Sequence, residues 1–82
     1  MKLKKGIILN SHDGEFTAYD TALSTMHELN MSAYYVLECI EKKMNEAKIV
    51  KVFADKFELS NDQSREDVSQ FLDLLKSREI IE

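Results

Sequence analysis

Proline is absent from this chain, glycine occurs only at Gly6 and Gly14, and Cys39 is the sole cysteine. One cysteine cannot form an internal disulfide. Two glycines eight residues apart fit neither common phosphate-cradling loop, whose glycines stand at closer fixed spacings. With no proline and no low-complexity stretch, nothing in the 82 residues reads as a linker, and that length fits one domain, residues 1–82, with a modest core. Long apolar runs are missing too. None approaches the roughly 20 residues that cross a bilayer, and Ile7-Ile8-Leu9 after the Lys-rich start is too short for a signal-peptide segment. The expectation is a cytoplasmic protein with no membrane partner.

Positive charge in excess is also lacking: 15 acidic residues outnumber 11 Lys and Arg, for a formal net charge of −4. Acids and bases nearly balance up to Leu59. From Ser60 onward Arg65, Lys76 and Arg78 face Asp62, Glu66, Asp67, Asp73, Glu79 and Glu82. A nucleic-acid-binding domain carries a basic face to neutralise phosphates. Here the excess acid lies on the last helix, the one that a winged helix would place in the major groove, so no nucleic-acid partner is expected.

What is present reads as three strands followed by three helices. Residues 3–9 and 15–20 have strand-like content, and between them Asn10–Gly14 ends in Asp-Gly, a strong hairpin signal. Phe16, Ala18 and Asp20 fall on one side of the second run, Thr17 and Tyr19 on the other. A weaker third strand is expected at Thr25–Leu29 after a bend at Asp20–Leu23. Asn30 then caps a helix predicted over Met31–Met44, with Ala33, Val36, Leu37 and Ile40 on its apolar side. Asn45 caps a second over Glu46–Phe57, with Ile49, Val50, Phe53 and Phe57 inward. Ser60, with Gln63 three residues later, opens the third through a capping box. Val68, Phe71, Leu72 and Leu75 share one face of it at i, i+3, i+4 and i+7, and Leu74 lies off that face. Strands grouped before helices imply an α+β fold with a three-stranded antiparallel sheet.

No catalytic residues emerge from these segments. His12 and His27 lack a ligand partner at metal spacing, so neither a metal site nor a cofactor is expected. Cys39, between Val36, Leu37 and Ile40, reads as a small buried hydrophobe. Tyr34 and Tyr35 differ by about 100° around their helix, so Tyr34 joins the apolar stripe and Tyr35 faces solvent or another helix. A chain this small has little room for a deep catalytic pocket, and a non-enzymatic protein is expected. A binding role is the more natural reading. An edge strand can template another chain's strand, and Thr25–Leu29 beside the last helix would form a groove favouring a peptide with Lys or Arg. The same edge would also serve a homodimer.

The segments HELNMSAYYVLECI, EAKIVKVFADKFELS and REDVSQFLDLLKSREII resemble the PqqD family over roughly residues 5–82. The matching features are Leu29-Asn30 before the first helix, Ile49-Val50 and Phe57 in the second, and Asp67-Val68-x-x-Phe71-Leu72-x-x-Leu75 with Ile80-Ile81 at the end. The resemblance implies a winged-helix-like fold without DNA binding, acting as a RiPP recognition element. Such a domain holds the leader of a ribosomally made precursor peptide as an added strand between the third strand and third helix. It then delivers that peptide to a modifying enzyme: a radical maturase, or a lasso-type protease or cyclase. Carried over, the implied groove is Thr25, Met26, His27 and Glu28 on the strand, with Asp67, Gln70, Phe71 and Leu74 on the helix. Two positions depart from the family pattern. Glu79 stands where glycine is common, and the turn before the third strand lacks its usual glycine. A winged-helix DNA-binding module is the alternative, and a small enzyme subunit is a third reading.

Overall fold

The computed structural model describes residues 1–82. It shows β1 (Ile7–His12), β2 (Glu15–Asp20) and β3 (Thr25–Leu29), then α1 (Met31–Glu41), α2 (Glu46–Phe57) and α3 (Asn61–Ser77). The expected α+β order is observed. The antiparallel sheet runs β1-β2-β3, so β3 is an edge strand.

β1 is shifted from the sequence expectation of residues 3–9. Its connection to β2 is only Asp13-Gly14, both at positive φ (50° and 79°), and His12 pairs with Glu15. A two-residue turn of this hand matches the strand twist and pairs the residues that flank it. The ladder therefore takes in Asn10, Ser11 and His12, whose side chains stay exposed. Successive residues alternate faces. Leu9, Ala18 and His27 form a cross-strand row on the core side, and Ile8, Tyr19 and Met26 form one on the outer side.

Asp20 is the one fully buried carboxylate, at 1% exposure. Lys4 Nζ donates to it at 2.7 Å, and the backbone N–H groups of Ala22 and Leu23 donate to its other oxygen at 3.0 Å each. One side chain thus folds the β2–β3 turn and anchors the amino-terminal segment. The hydrogen bond from Lys4 holds the Asp20 carboxyl below its ordinary range, outweighing the opposite effect of burial.

The helices begin as expected. Asn30, Asn45 and Ser60 accept hydrogen bonds from the N–H groups of Ala33, Lys48 and Gln63 at 2.8, 2.9 and 3.2 Å. Only half of the capping box at Ser60 forms, because the Gln63 amide turns forward to Asp67 instead. Their ends show what two glycines mean for this chain. α1 stops at Glu41, not Met44, because Lys43 takes φ +64° and Met44 N–H bonds back to the Cys39 carbonyl. α2 and α3 end the same way, with Glu58 at φ +55° and Glu79 at +57°. The N–H groups of Leu59 and Ile80 bond back to the carbonyls of Ala54 and Leu75. Each is a Schellman-type end in which a charged residue occupies the left-handed position that glycine fills without strain. Ser24, at φ +52° before β3, is in the same region. Both departures from the family pattern therefore fall at left-handed residues.

The core joins Ala18 of β2 to Val36, Leu37 and Ile40 of α1, Ile49, Val50 and Phe53 of α2, and Val68, Leu72 and Leu75 of α3. Ser64, fully buried, donates to the Val50 carbonyl at 2.7 Å and ties α3 to α2. Beyond α3, Ile80 and Ile81 turn into the core and pair with the amino-terminal segment. Leu3 bridges Ile81, Lys4 N–H donates to the Ile80 carbonyl at 2.9 Å, and Glu82 N–H donates to the Lys2 carbonyl at 2.8 Å.

Two outcomes are expected. Relieving a left-handed charged residue with Glu79→Gly should raise stability by up to about 1 kcal/mol in urea titration, and an unchanged or lowered midpoint would contradict the strain. A depressed folded-state pKa at Asp20 contributes stability that is present above the unfolded carboxylate range and lost as pH falls through the lower, folded value. Thermal melts of Asp20→Asn should therefore show a lowered midpoint at neutral pH and a gap to the parent protein that narrows in acid. A constant gap down to the lowest pH would remove the Lys4 pair from that account.

Candidate functional site

The outer edge of β3 has no strand beside it. Which of its residues offer free backbone groups follows from the hairpin turn. The pair flanking a two-residue turn exchanges both of its hydrogen bonds, so Glu15, Thr17 and Tyr19 bond toward β1. Phe16, Ala18 and Asp20 consequently bond toward β3, to Leu29, His27 and Thr25. Met26 and Glu28 are left with N–H and C=O directed outward. The Arg78 guanidinium reaches the Glu28 carbonyl at 3.4 Å, as an outward carbonyl allows.

The four strand residues expected to line the groove therefore divide. Met26 and Glu28 present backbone to the edge, while their side chains lie on the outer sheet face with Tyr19 and Thr17. Thr25 and His27 turn their backbone groups inward, and their side chains share the core face with Asp20 and Ala18. Thr25 is exposed and His27 half-buried.

On α3, the buried line is Ser64, Val68, Leu72 and Leu75. Phe71, expected within that line, is only half-buried and lies at its margin. Asp67, Phe71 and Leu74, all half-buried, form a second line that continues to Arg78. Spacings of 4, 7 and 11 residues return to within about 40° of one direction on a 3.6-residue helix, so these four share a stripe. Gln70 stands beside the stripe and is exposed. Phe71 is fixed from behind by Phe53, ring centroids 6.0 Å apart, within a cluster that includes Phe57 and Tyr35. Asp67 accepts a 2.7 Å hydrogen bond from the Gln63 amide, which orients its carboxylate and leaves lone pairs for another donor. Arg78 was not among the residues expected at this site. Its signal is the 11-residue spacing from Asp67, which becomes visible only once the helix is known to extend to its end.

Other ionisable groups offer little chemistry. Burial pushes the Cys39 thiol up from its ordinary value, which keeps it protonated and unreactive. Burial likewise raises the phenols of Tyr34, packed on Phe16 at 5.1 Å, and of Tyr35, packed on the second helix. No three His, Cys, Asp or Glu side chains converge to hold a metal ion. No helix is long and apolar enough to cross a membrane. The largest surface depression, about 650 Å³, lies elsewhere, between α2 and the start of α3, where Glu46, Lys51, Asp55, Asn61 and Arg65 line it with Ala47 and Val50. A smaller depression of about 200 Å³ lies at the far end of β3, lined by Phe16, Thr17, Glu28 and Leu29 among others; a strand-addition site requires an edge and a facing wall rather than a cavity.

The family described as Coenzyme PQQ synthesis protein D (PqqD) matches residues 6–81. No curated protein sequence matches. Two solved structures share the fold. TbiB1 in complex with the TbiA(beta) leader peptide superposes with a TM-score of 0.88 at 18% identity, covering 100% of this chain and 95% of that one. A lasso peptide synthetase B1 complexed with the leader peptide gives 0.83 at 15% identity, covering 96% of this chain and 93% of that one.

Hydrogen exchange tests the edge assignment. Amides of Met26 and Glu28 should exchange rapidly, whereas that of His27, bonded to β2, should be protected. Equal protection of all three would mean that the outer edge is covered.

Proposed function

The chain belongs to the PqqD family, and on that premise we infer that it binds the leader region of a ribosomally made precursor peptide and delivers it to a modifying enzyme. The observation that carries this reading is the Arg78 guanidinium at the Glu28 carbonyl, which brings the end of the half-buried α3 stripe to the free edge of β3. Both chains of similar fold are described as bound to a leader peptide.

The geometry supports binding by strand addition. An extended peptide would exchange main-chain hydrogen bonds with Met26 and Glu28, the two residues with outward backbone groups. Every second side chain of that peptide would face α3, where Phe71 and Leu74 offer apolar contact and Asp67 and Gln70 offer polar partners. Thr25 and His27 would border the floor of the groove. Main-chain bonds supply affinity for any extended segment, and the α3 stripe supplies choice among sequences. Catalysis is left to the partner, a radical maturase or a lasso-type protease or cyclase, and this domain's part is to raise the local concentration of its substrate. The acidic exterior of α3, with Asp62, Glu66 and Asp73 exposed, opposes a DNA-binding use of the same helix.

A nuclear magnetic resonance titration with a leader peptide should move the amide signals of Thr25–Glu28 and of Asp67–Leu74. Shifts confined to α1 would rule out this groove. With a leader that carries a basic residue, Asp67→Lys should weaken binding several-fold while leaving the fold intact; unchanged affinity would remove Asp67 from recognition.

A further inference from the structure

Arg78 hydrogen-bonds to the free edge of β3, and its surroundings differ from those of the other arginine. It has no carboxylate within ion-pairing distance, whereas Arg65, the only other arginine, pairs with Asp62 at 3.3 Å. Its guanidinium instead spans from the end of α3 to the Glu28 carbonyl, 50 residues away in sequence. That carbonyl is one of the acceptors that an added strand must use. At 3.4 Å and exposed to solvent, the bond is long and easily exchanged.

We propose that Arg78 is a specificity-determining residue of the groove, selecting peptides that carry an Asp or Glu where the added strand passes Glu28. This proposal rests on the strand-addition reading above. In the empty protein the guanidinium occupies the Glu28 carbonyl. When a strand adds, a peptide N–H takes that acceptor, and the guanidinium is released at the mouth of the groove, where it is free to pair. A carboxylate from the arriving peptide is the partner that best replaces the lost bond, since guanidinium and carboxylate match as a two-pronged pair. A peptide with a neutral residue there leaves the cation to water alone, and one with Lys or Arg brings two cations together.

Asp67 sets the other end of the same stripe. It lies 11 residues before Arg78, about 16 Å along a helix, which corresponds to about five residues of an extended strand. The α3 wall is therefore anionic at one end, apolar at Phe71 and Leu74, and cationic at the other. A matching ligand carries a basic residue, an apolar middle and an acidic residue in that spatial order, and this fixes the strand's register as well as its identity.

The test is a display selection on the whole chain with random peptides roughly a dozen residues long, enough to span the groove, followed by synthesis of the selected binders. Against the parent protein, Asp or Glu should be enriched at one fixed position. Exchanging that residue for its amide should weaken binding about two- to five-fold, as expected for an exposed charged pair. The conservative Arg78→Gln should bind acid and amide peptides alike, and selection on Arg78→Glu should enrich Lys or Arg at the same position. Circular dichroism would verify that both variants fold. Binders that shift the Met26 and Glu28 amides but show no fixed acid, or an acid preference that survives Arg78→Gln, overturn the role of Arg78 alone. Binders that leave those amides unmoved overturn strand addition itself.

Discussion

The pairing of the two chain ends is the constraint on which the candidate site depends. β3 and the end of α3 are joined directly by a single long side-chain hydrogen bond, from Arg78 to Glu28. What holds α3 in place is instead its buried line against α1 and α2, and the Ile80-Ile81 stub locked to Leu3 and Lys4. Lys4 passes that restraint to the sheet through Asp20. In the proposed function an entering peptide would displace only the Arg78–Glu28 bond, since β3 and α3 are positioned from outside the gap between them. Had the walls been held by contacts across it, a peptide would have to break them to enter.

A second consequence follows from the scarcity of glycine. All three helices end with a left-handed residue, and in each case it is Lys or Glu. These ends are strained by up to about 1–2 kcal/mol apiece, yet they are tolerated because the next residue, Met44, Leu59 or Ile80, packs on the core and satisfies a helix carbonyl. At Glu79 the strain sits where α3 turns back into the core, one residue beyond Arg78. The turn that orients the cation is therefore also the turn that seats the stub.

Most elements were legible from local rules, and the misreadings share a cause. Caps at Asn30, Asn45 and Ser60 and the apolar spacing within each helix locate the helices because capping and amphipathicity act over a few residues. β1 and the end of α1 differ from the sequence expectation because polar Asn10–His12 read as loop and apolar Met44 reads as helix. In the first case a two-residue turn enforces pairing whatever the side chains are. In the second a left-handed Lys43 stops the helix before the pattern runs out. Phe71 was expected in the core and lies at its margin, since one helical period cannot say where the neighbouring helix ends and solvent begins.

For the site, the division follows the range of the interactions. Local residue patterns alone mark Thr25–Leu29 as a third strand after the hairpin. Which of its residues direct their backbone outward follows only from the observed two-residue Asp13-Gly14 turn and the registers of β1, β2 and β3. Tertiary structure decided that this strand lies at a free edge and that the Asp67–Leu74 stripe is only half covered. It also decided that Arg78, absent from any local motif, meets Glu28. Each of these depends on where an element 50 residues away comes to rest, and that is set by burial of the whole core rather than by any neighbouring residue.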